Sequence, residues 1–210
     1  MIMDCTGLIL AGGESRRMGF DKATLEIGGS TLLQRSMDVL CNVFPKVLLS
    51  VRKKRRETSQ PPSLQQVYDD PSMAGPLAGL HSGLSEAQTP WIFALAVDMP
   101  FITPEIVMRL AGWRSDCQAV VPVVEGYPQP LAAYYALDAL PTVRMVLRGS
   151  GKHSLRAVLE QLSVCYVHAE ELRLIDPELR GFADLDTPDD AAEAFKVNRT
   201  PLRNGPEGGN

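Results

Sequence analysis

Apolar residues along this chain fall into short dense blocks, and the blocks alternate between two spacings. Residues 6–10, 46–51, 64–68 and 91–97 are compact runs of the kind that make buried strands. The last of them, Trp91-Ile92-Phe93-Ala94-Leu95-Ala96-Val97, has no polar break, as expected of a central strand covered on both faces. Between the runs the apolar spacing becomes helical. Ser30 or Thr31 caps a helix carrying Leu32, Leu33, Met37, Val39 and Leu40. Gly75-Pro76-Leu77-Ala78-Gly79-Leu80 opens a second, with Pro76 in the first turn where a missing N–H is tolerated. Thr103 caps a third that runs through Trp113. Alternating strand and helix predicts a mostly parallel sheet with helices on both faces.

The second half is less regular. Residues 119–124 and 130–135 read as strands flanking Gly126-Tyr127-Pro128-Gln129, residues 137–147 and 154–162 as helices, and residues 164–167 as a short strand. A helix is expected over residues 189–197, which completes one domain of residues 1–197. The Gly-, Pro-, Asn- and Arg-bearing stretch 198–210 is expected to be a disordered tail.

Composition narrows the class. The chain has 210 residues, 45% hydrophobic and 22% charged, enough to bury a core without staples. A formal net charge of -4 argues against a nucleic-acid partner. Cys5, Cys41, Cys117 and Cys165 are far apart, and with His81, His153 and His168 they form no zinc spacing, so they read as reduced thiols. Asp4 precedes the first apolar run, which does not resemble a signal peptide, and no run is long enough to span a bilayer. A cytoplasmic setting without membrane contact is expected.

In parallel α/β sheets ligands sit beyond the carboxyl ends of the strands, and three ends here carry chemistry. The first run opens into Gly12-Gly13 and a loop with Arg16, Arg17, Gly19 and Lys22. Glycines let backbone N–H groups approach an anion, and the cations supply charge. The loop is neither G-x-x-x-x-G-K-[ST] nor G-x-G-x-x-G, so the two common phosphate fingerprints are absent. The third run ends in Asp69-Asp70-Pro71 and the fourth in Asp98-Met99-Pro100. Alone, each aspartate also reads as a turn or cap. A cationic loop facing carboxylates suits a metal-bound nucleotide.

Leu10-Ala11-Gly12-Gly13-x-Ser15-x-Arg17-Met18-Gly19-x-Asp21-Lys22 resembles the signature of nucleotidyltransferases of the glycosyltransferase-A-like fold, a three-layer α/β/α Rossmann-like architecture. Asp70, Gly75-Pro76-Leu77-Ala78-Gly79, Asp98-Met99-Pro100 and Asp184-x-Asp186-Thr187-Pro188 follow in the same order, and the whole is most similar to the molybdenum cofactor guanylyltransferases. The resemblance implies that Leu10, Ala11 and Gly12 line the guanine and ribose of GTP and that Arg17 and Lys22 hold its phosphates. Gly13, Gly19, Gly75 and Gly79 complete the cradle, Asp70 contacts the nucleotide, and Asp98 binds Mg²⁺. Lys22, Arg17 and Asp98 would be the catalytic set, with Asp186 as a second metal contact. Molybdopterin would be the acceptor, and molybdoenzyme-maturation proteins the partners. Ser50 stands where the family commonly carries asparagine, and the acidic pair Asp184 and Asp186 also resembles the cytidylyl branch. A cytidylyl- or sugar-phosphate nucleotidyltransferase, and a non-catalytic cofactor-binding chaperone, are the alternatives.

Other features read as structural. The basic run Arg52-Lys53-Lys54-Arg55-Arg56 suits a solvated loop. Tyr134 and Tyr135 suit either the acceptor side or cross-strand packing. His153 suits a surface helix start.

Overall fold

The computed structural model describes residues 1–11, 21–52, 61–73 and 75–185. In chain order the strands are β1 (Cys5–Leu10), β2 (Glu26–Ile27), β3 (Ser30–Thr31), β4 (Val47–Val51), β5 (Leu64–Tyr68), β6 (Trp91–Ala96), β7 (Ala119–Val124), β8 (Tyr127–Pro128), β9 (Ala132–Ala136) and β10 (Val164–His168). The helices are α1 (Leu32–Val43), α2 (Pro76–Glu86), α3 (Pro104–Ala111), α4 (Leu140–Arg148), α5 (Leu155–Leu159) and α6 (Ala169–Arg173).

The strands form an eight-stranded sheet in the order β10-β7-β9-β6-β1-β4-β5, with β8 added to β7, while β2 and β3 make a separate hairpin. β1 lies between β4 and β6 and is parallel to both, and β5 is parallel to β4. The expected mostly parallel sheet is therefore present, with β9 inserted antiparallel to β6 and β7. Alternation along the strands splits the core in two. Ile9, Leu49 and Phe93 face one layer with Leu33, Leu40, Ile106 and Leu172, from α1, α3 and α6. Leu8, Leu48 and Ile92 face the other with Leu77, Leu80, Val143 and Val158, from α2, α4 and α5. Three layers result.

Local signals hold where they are strong. Thr31 caps α1 in a full capping box with Gln34, and Thr103 caps α3. The expected helix over 137–147 begins instead at Leu140, after a 3-10 turn at Leu137–Ala139. Pro141 has no N–H to give the preceding turn, so it can stand only in the first turn of the helix. The β2–β3 hairpin, β8 and α6 are too short to leave a periodic signature. Among the described residues no helix is long and apolar enough to cross a membrane. The expected helix over 189–197 and the tail 198–210 lie outside the described residues.

Candidate active site

The carboxyl ends of β1, β4, β5 and β6 converge on one pocket, where Leu10, Ala11, Ser50, Asp69, Val97 and Asp98 meet Asp21 and Lys22. Its floor is sewn together by backbone bonds. Ala11 N–H donates to the Ser50 carbonyl at 3.1 Å, and Val97 N–H donates to the Leu10 carbonyl at 3.2 Å.

One wall is the N-terminus of α2. Gly75, its N-cap, has φ 81°, a conformation only glycine adopts without strain. Among the described residues no side chain caps this end, and Gly75 and Pro76 present the positive end of the helix dipole to the pocket. Gly79 lets α2 press against the strand ends. A Cβ there would stand 2.6 Å from Ser50 Oγ and 2.7 Å from Leu10 Cδ2.

Lys22 and Asp98 face each other across the mouth, with Nζ donating to Oδ2 at 3.0 Å. Lys22 is delivered by a 3-10 turn that Asp21 caps, Oδ1 accepting from Ala23 N–H at 3.0 Å. Leu185 N–H donates to the Asp98 carbonyl at 2.9 Å. At the back, Ser50 Oγ donates to Asp69 Oδ1 at 2.7 Å, and both residues are buried.

The structure thus brings together Leu10, Ala11, Lys22, Ser50, Gly75, Gly79 and Asp98. Gly12, Gly13, Arg17, Gly19, Lys53 to Arg56, and Asp186 lie outside the described residues. Asp70 does not line this pocket. Its carboxylate is exposed and turned back on its own loop, accepting from Ser72 N–H at 2.8 Å and Ser72 Oγ at 2.6 Å. These bonds hold its carboxyl below the usual carboxylate range. Asp69 occupies the pocket instead. Strand alternation carries the signal for this, because Asp69 follows the buried Val67 by two residues while exposed Tyr68 points away. Leu131, from the loop before β9, also lines the pocket.

Tyr134 and Tyr135 are fully buried, and their hydroxyls donate to the carbonyls of Val107 at 3.0 Å and Pro130 at 2.8 Å. Burial pushes both phenols well above their ordinary pKa, so packing is their role. His153 bonds the Gly149 carbonyl at 2.7 Å, as a structural residue of the loop before α5. Arg52, at the start of the basic run, donates to the Met73 carbonyl at 3.0 Å and ties the loops after β4 and β5.

No group of three or more His, Cys, Asp or Glu side chains is placed to hold a metal among the described residues. Asp98 nonetheless offers a hard carboxylate oxygen at a pocket that also holds an ammonium and a helix N-terminus. That set suits Mg²⁺, which takes one or two carboxylates and completes its shell from phosphates and water.

The MobA-like NTP transferase domain family matches residues 7–165. The chain is 37% identical over 196 residues to the probable molybdenum cofactor guanylyltransferase of Methanosarcina mazei, covering 88% of this chain and 87% of that protein. It is 33% identical over 189 residues to the molybdenum cofactor guanylyltransferase of Syntrophotalea carbinolica, covering 88% of each. Among solved structures it is similar to the molybdopterin-guanine dinucleotide biosynthesis protein A of Archaeoglobus fulgidus, with a TM-score of 0.78 and 28% identity over 92% of this chain and 98% of that one. The 2-C-methyl-D-erythritol 4-phosphate cytidylyltransferase of Thermus thermophilus shares the fold, with a TM-score of 0.65 and 19% identity over 93% of this chain and 98% of that one.

Proposed function

The chain belongs to the MobA-like NTP transferase family, and from that premise we propose that it transfers GMP from GTP to molybdopterin, releasing pyrophosphate. The observation that carries this reading is the Lys22–Asp98 pair beside the N-terminus of α2. A cation, a carboxylate and the positive end of a helix dipole at one strand edge are what a metal-bound triphosphate needs.

Asp98, with Asp186 as a second contact, would hold Mg²⁺, which draws charge off the phosphates when bound. Lys22 then leaves Asp98 and pairs with the triphosphate, joined by Arg17. Gly12, Gly13 and Gly19 would give backbone N–H groups to the phosphates. Leu10 and Ala11 line the nucleoside end, and Asp69 offers it an acceptor oxygen from the back of the pocket. An oxygen of the acceptor's terminal phosphate attacks the α-phosphorus of GTP. One P–O bond forms as the α–β P–O bond breaks, and the electron pair leaves with pyrophosphate. A phosphate monoester is already ionised, so no general base is required. Catalysis is alignment and charge neutralisation.

Pyrophosphate release assayed with each NTP, with and without molybdopterin, tests the reading. Release that needs both GTP and the acceptor is expected. A preference for CTP, or tight nucleotide binding with no pyrophosphate, would overturn it. Asp98→Ala is expected to abolish turnover, and full activity in Asp186→Ala would remove Asp186 from the metal site.

A further inference from the structure

Beside the nucleotide pocket, two exposed tyrosines bound a crevice that the nucleotide does not need. Because β9 is antiparallel to both β6 and β7, β7 and its parallel neighbour β10 point the same way as β6. Their carboxyl ends therefore emerge on the edge of the sheet that holds Asp98. There β7 reverses through Glu125 and Gly126, with φ of 50° and 81°. Two consecutive positive φ values match the tight hairpin turn that suits strand twist. The turn carries Tyr127 back over the edge, 73% exposed, and Tyr166 of β10 is 42% exposed. Together with Pro128, Pro130, Arg156 and Glu160 they line a crevice of about 560 Å³.

This crevice and the transfer site are lined by consecutive residues of one segment. Pro130 lines the crevice, and the next residue, Leu131, lines the nucleotide pocket. The dividing wall is fixed on both sides. The Pro130 carbonyl accepts from Tyr135 Oη at 2.8 Å, and the Leu131 carbonyl accepts from Ala96 N–H at 2.8 Å. Single exposed apolar side chains need no explanation, but two exposed tyrosines lining one cleft offer aromatic surface on which a flat ring can stack. Its rim adds polar groups matched to a heterocycle. The Glu160 carboxylate can accept ring N–H groups, and the Arg156 guanidinium can donate to a ring carbonyl. Their own contact, 3.2 Å between exposed side chains, is easily exchanged for a ligand.

The geometry points to the Tyr127–Tyr166 crevice as the site of the acceptor's fused nitrogen heterocycle, with the acceptor phosphate reaching past Leu131 toward Asp98. This assignment rests on the transfer reading above. Guanine carries a similar amino-oxo edge, so the test must tell the acceptor ring from the nucleotide base.

The experiment measures equilibrium binding of a stable 2-amino-4-oxopterin by fluorescence, and of Mg-GTP by calorimetry, on the full chain and on Tyr127→Ala, Tyr166→Ala and Tyr127→Phe. Circular dichroism melts check that these surface variants fold. The alanine variants are expected to weaken pterin binding about tenfold, as loss of one aromatic stacking partner does, with GTP affinity unchanged and Tyr127→Phe close to wild type. Alanine variants that bind the pterin as well as wild type would overturn the assignment, as would a loss of GTP affinity instead. Wild type that binds GTP but no pterin overturns the crevice and leaves the nucleotide reading standing. Pterin binding lost in Tyr127→Ala, in a protein that prefers CTP, upholds the crevice and overturns the guanylyl reading.

Discussion

Lys22 Nζ donates to Asp98 Oδ2 at 3.0 Å, so the ammonium sits on the carboxylate that the proposed reaction assigns to the metal. The two side chains come from loops 76 residues apart in sequence and are both about a quarter exposed. In the proposed reaction metal and ammonium would therefore compete for this carboxylate until a triphosphate drew Lys22 away. Lys22→Met is expected to slow transfer by about 10²–10³-fold, the usual loss when one charge-stabilising donor is removed. It is also expected to tighten Mn²⁺ binding to the nucleotide-free protein, read by calorimetry. Affinity no higher than that of wild type would mean that the two do not compete.

The Ser50 hydroxyl holds Asp69 at the back of the pocket. Ser50→Ala leaves a buried carboxylate oxygen without its donor, at a cost of about 1–3 kcal/mol. The urea midpoint should fall accordingly. Ser50→Thr should keep the bond, but its added methyl has to fit beneath Gly79, so nucleotide affinity is expected to drop while stability changes less than in Ser50→Ala.

Gly79 and Gly83 seat α2 on the sheet. A Cβ at Gly83 would stand 2.3 Å from Cδ2 of fully buried Leu8. Overpacking of this kind costs about 1–3 kcal/mol, more than the gain of about 1 kcal/mol from replacing a helical glycine by alanine. Gly83→Ala is expected to destabilise without altering nucleotide affinity corrected for the unfolded fraction. Gly79→Ala, which displaces Ser50 and Leu10, is expected to weaken nucleotide binding as well.

His81, on α2, is held below its ordinary pKa of 6.5, first by burial and then by Arg144 and Arg148, with Asp70 opposing them. The unfolded chain therefore takes up a proton at this residue at higher pH than the folded protein does. The stability this imbalance governs is complete above about 6.5 and is lost as pH falls from there through the folded-state value. Urea unfolding compared at about pH 7.5 and about pH 5.5 should show a smaller loss in His81→Gln than in wild type. Equal losses would assign the pH dependence to other groups.

Much of the fold was legible in the chain because strong local signals agreed with the tertiary outcome. The unbroken apolar run 91–97 is the central strand β6, Thr31 and Thr103 cap the helices they were expected to cap, and Pro76 opens α2. The motif residues Lys22 and Asp98, placed near strand ends by the sequence, meet in one pocket at the carboxyl edge of the sheet. The two-residue strands β2, β3 and β8 and the short helix α6 were invisible because their stability comes from what they pack against and not from their own sequence.

What only the tertiary structure decided was direction and partnership. The sequence contains Asp69 and Asp70 side by side, but one φ/ψ step decides which carboxylate turns inward to Ser50 and which caps Ser72. It contains four tyrosines between residues 127 and 166, but only the sheet order buries Tyr134 and Tyr135 and leaves Tyr127 and Tyr166 facing one crevice. Residue type and spacing are local properties, so the chain alone determined the layered fold and which strand ends carry charged side chains. Burial and pairing depend on neighbours brought from far along the chain, so only the folded protein sets Lys22 on Asp98.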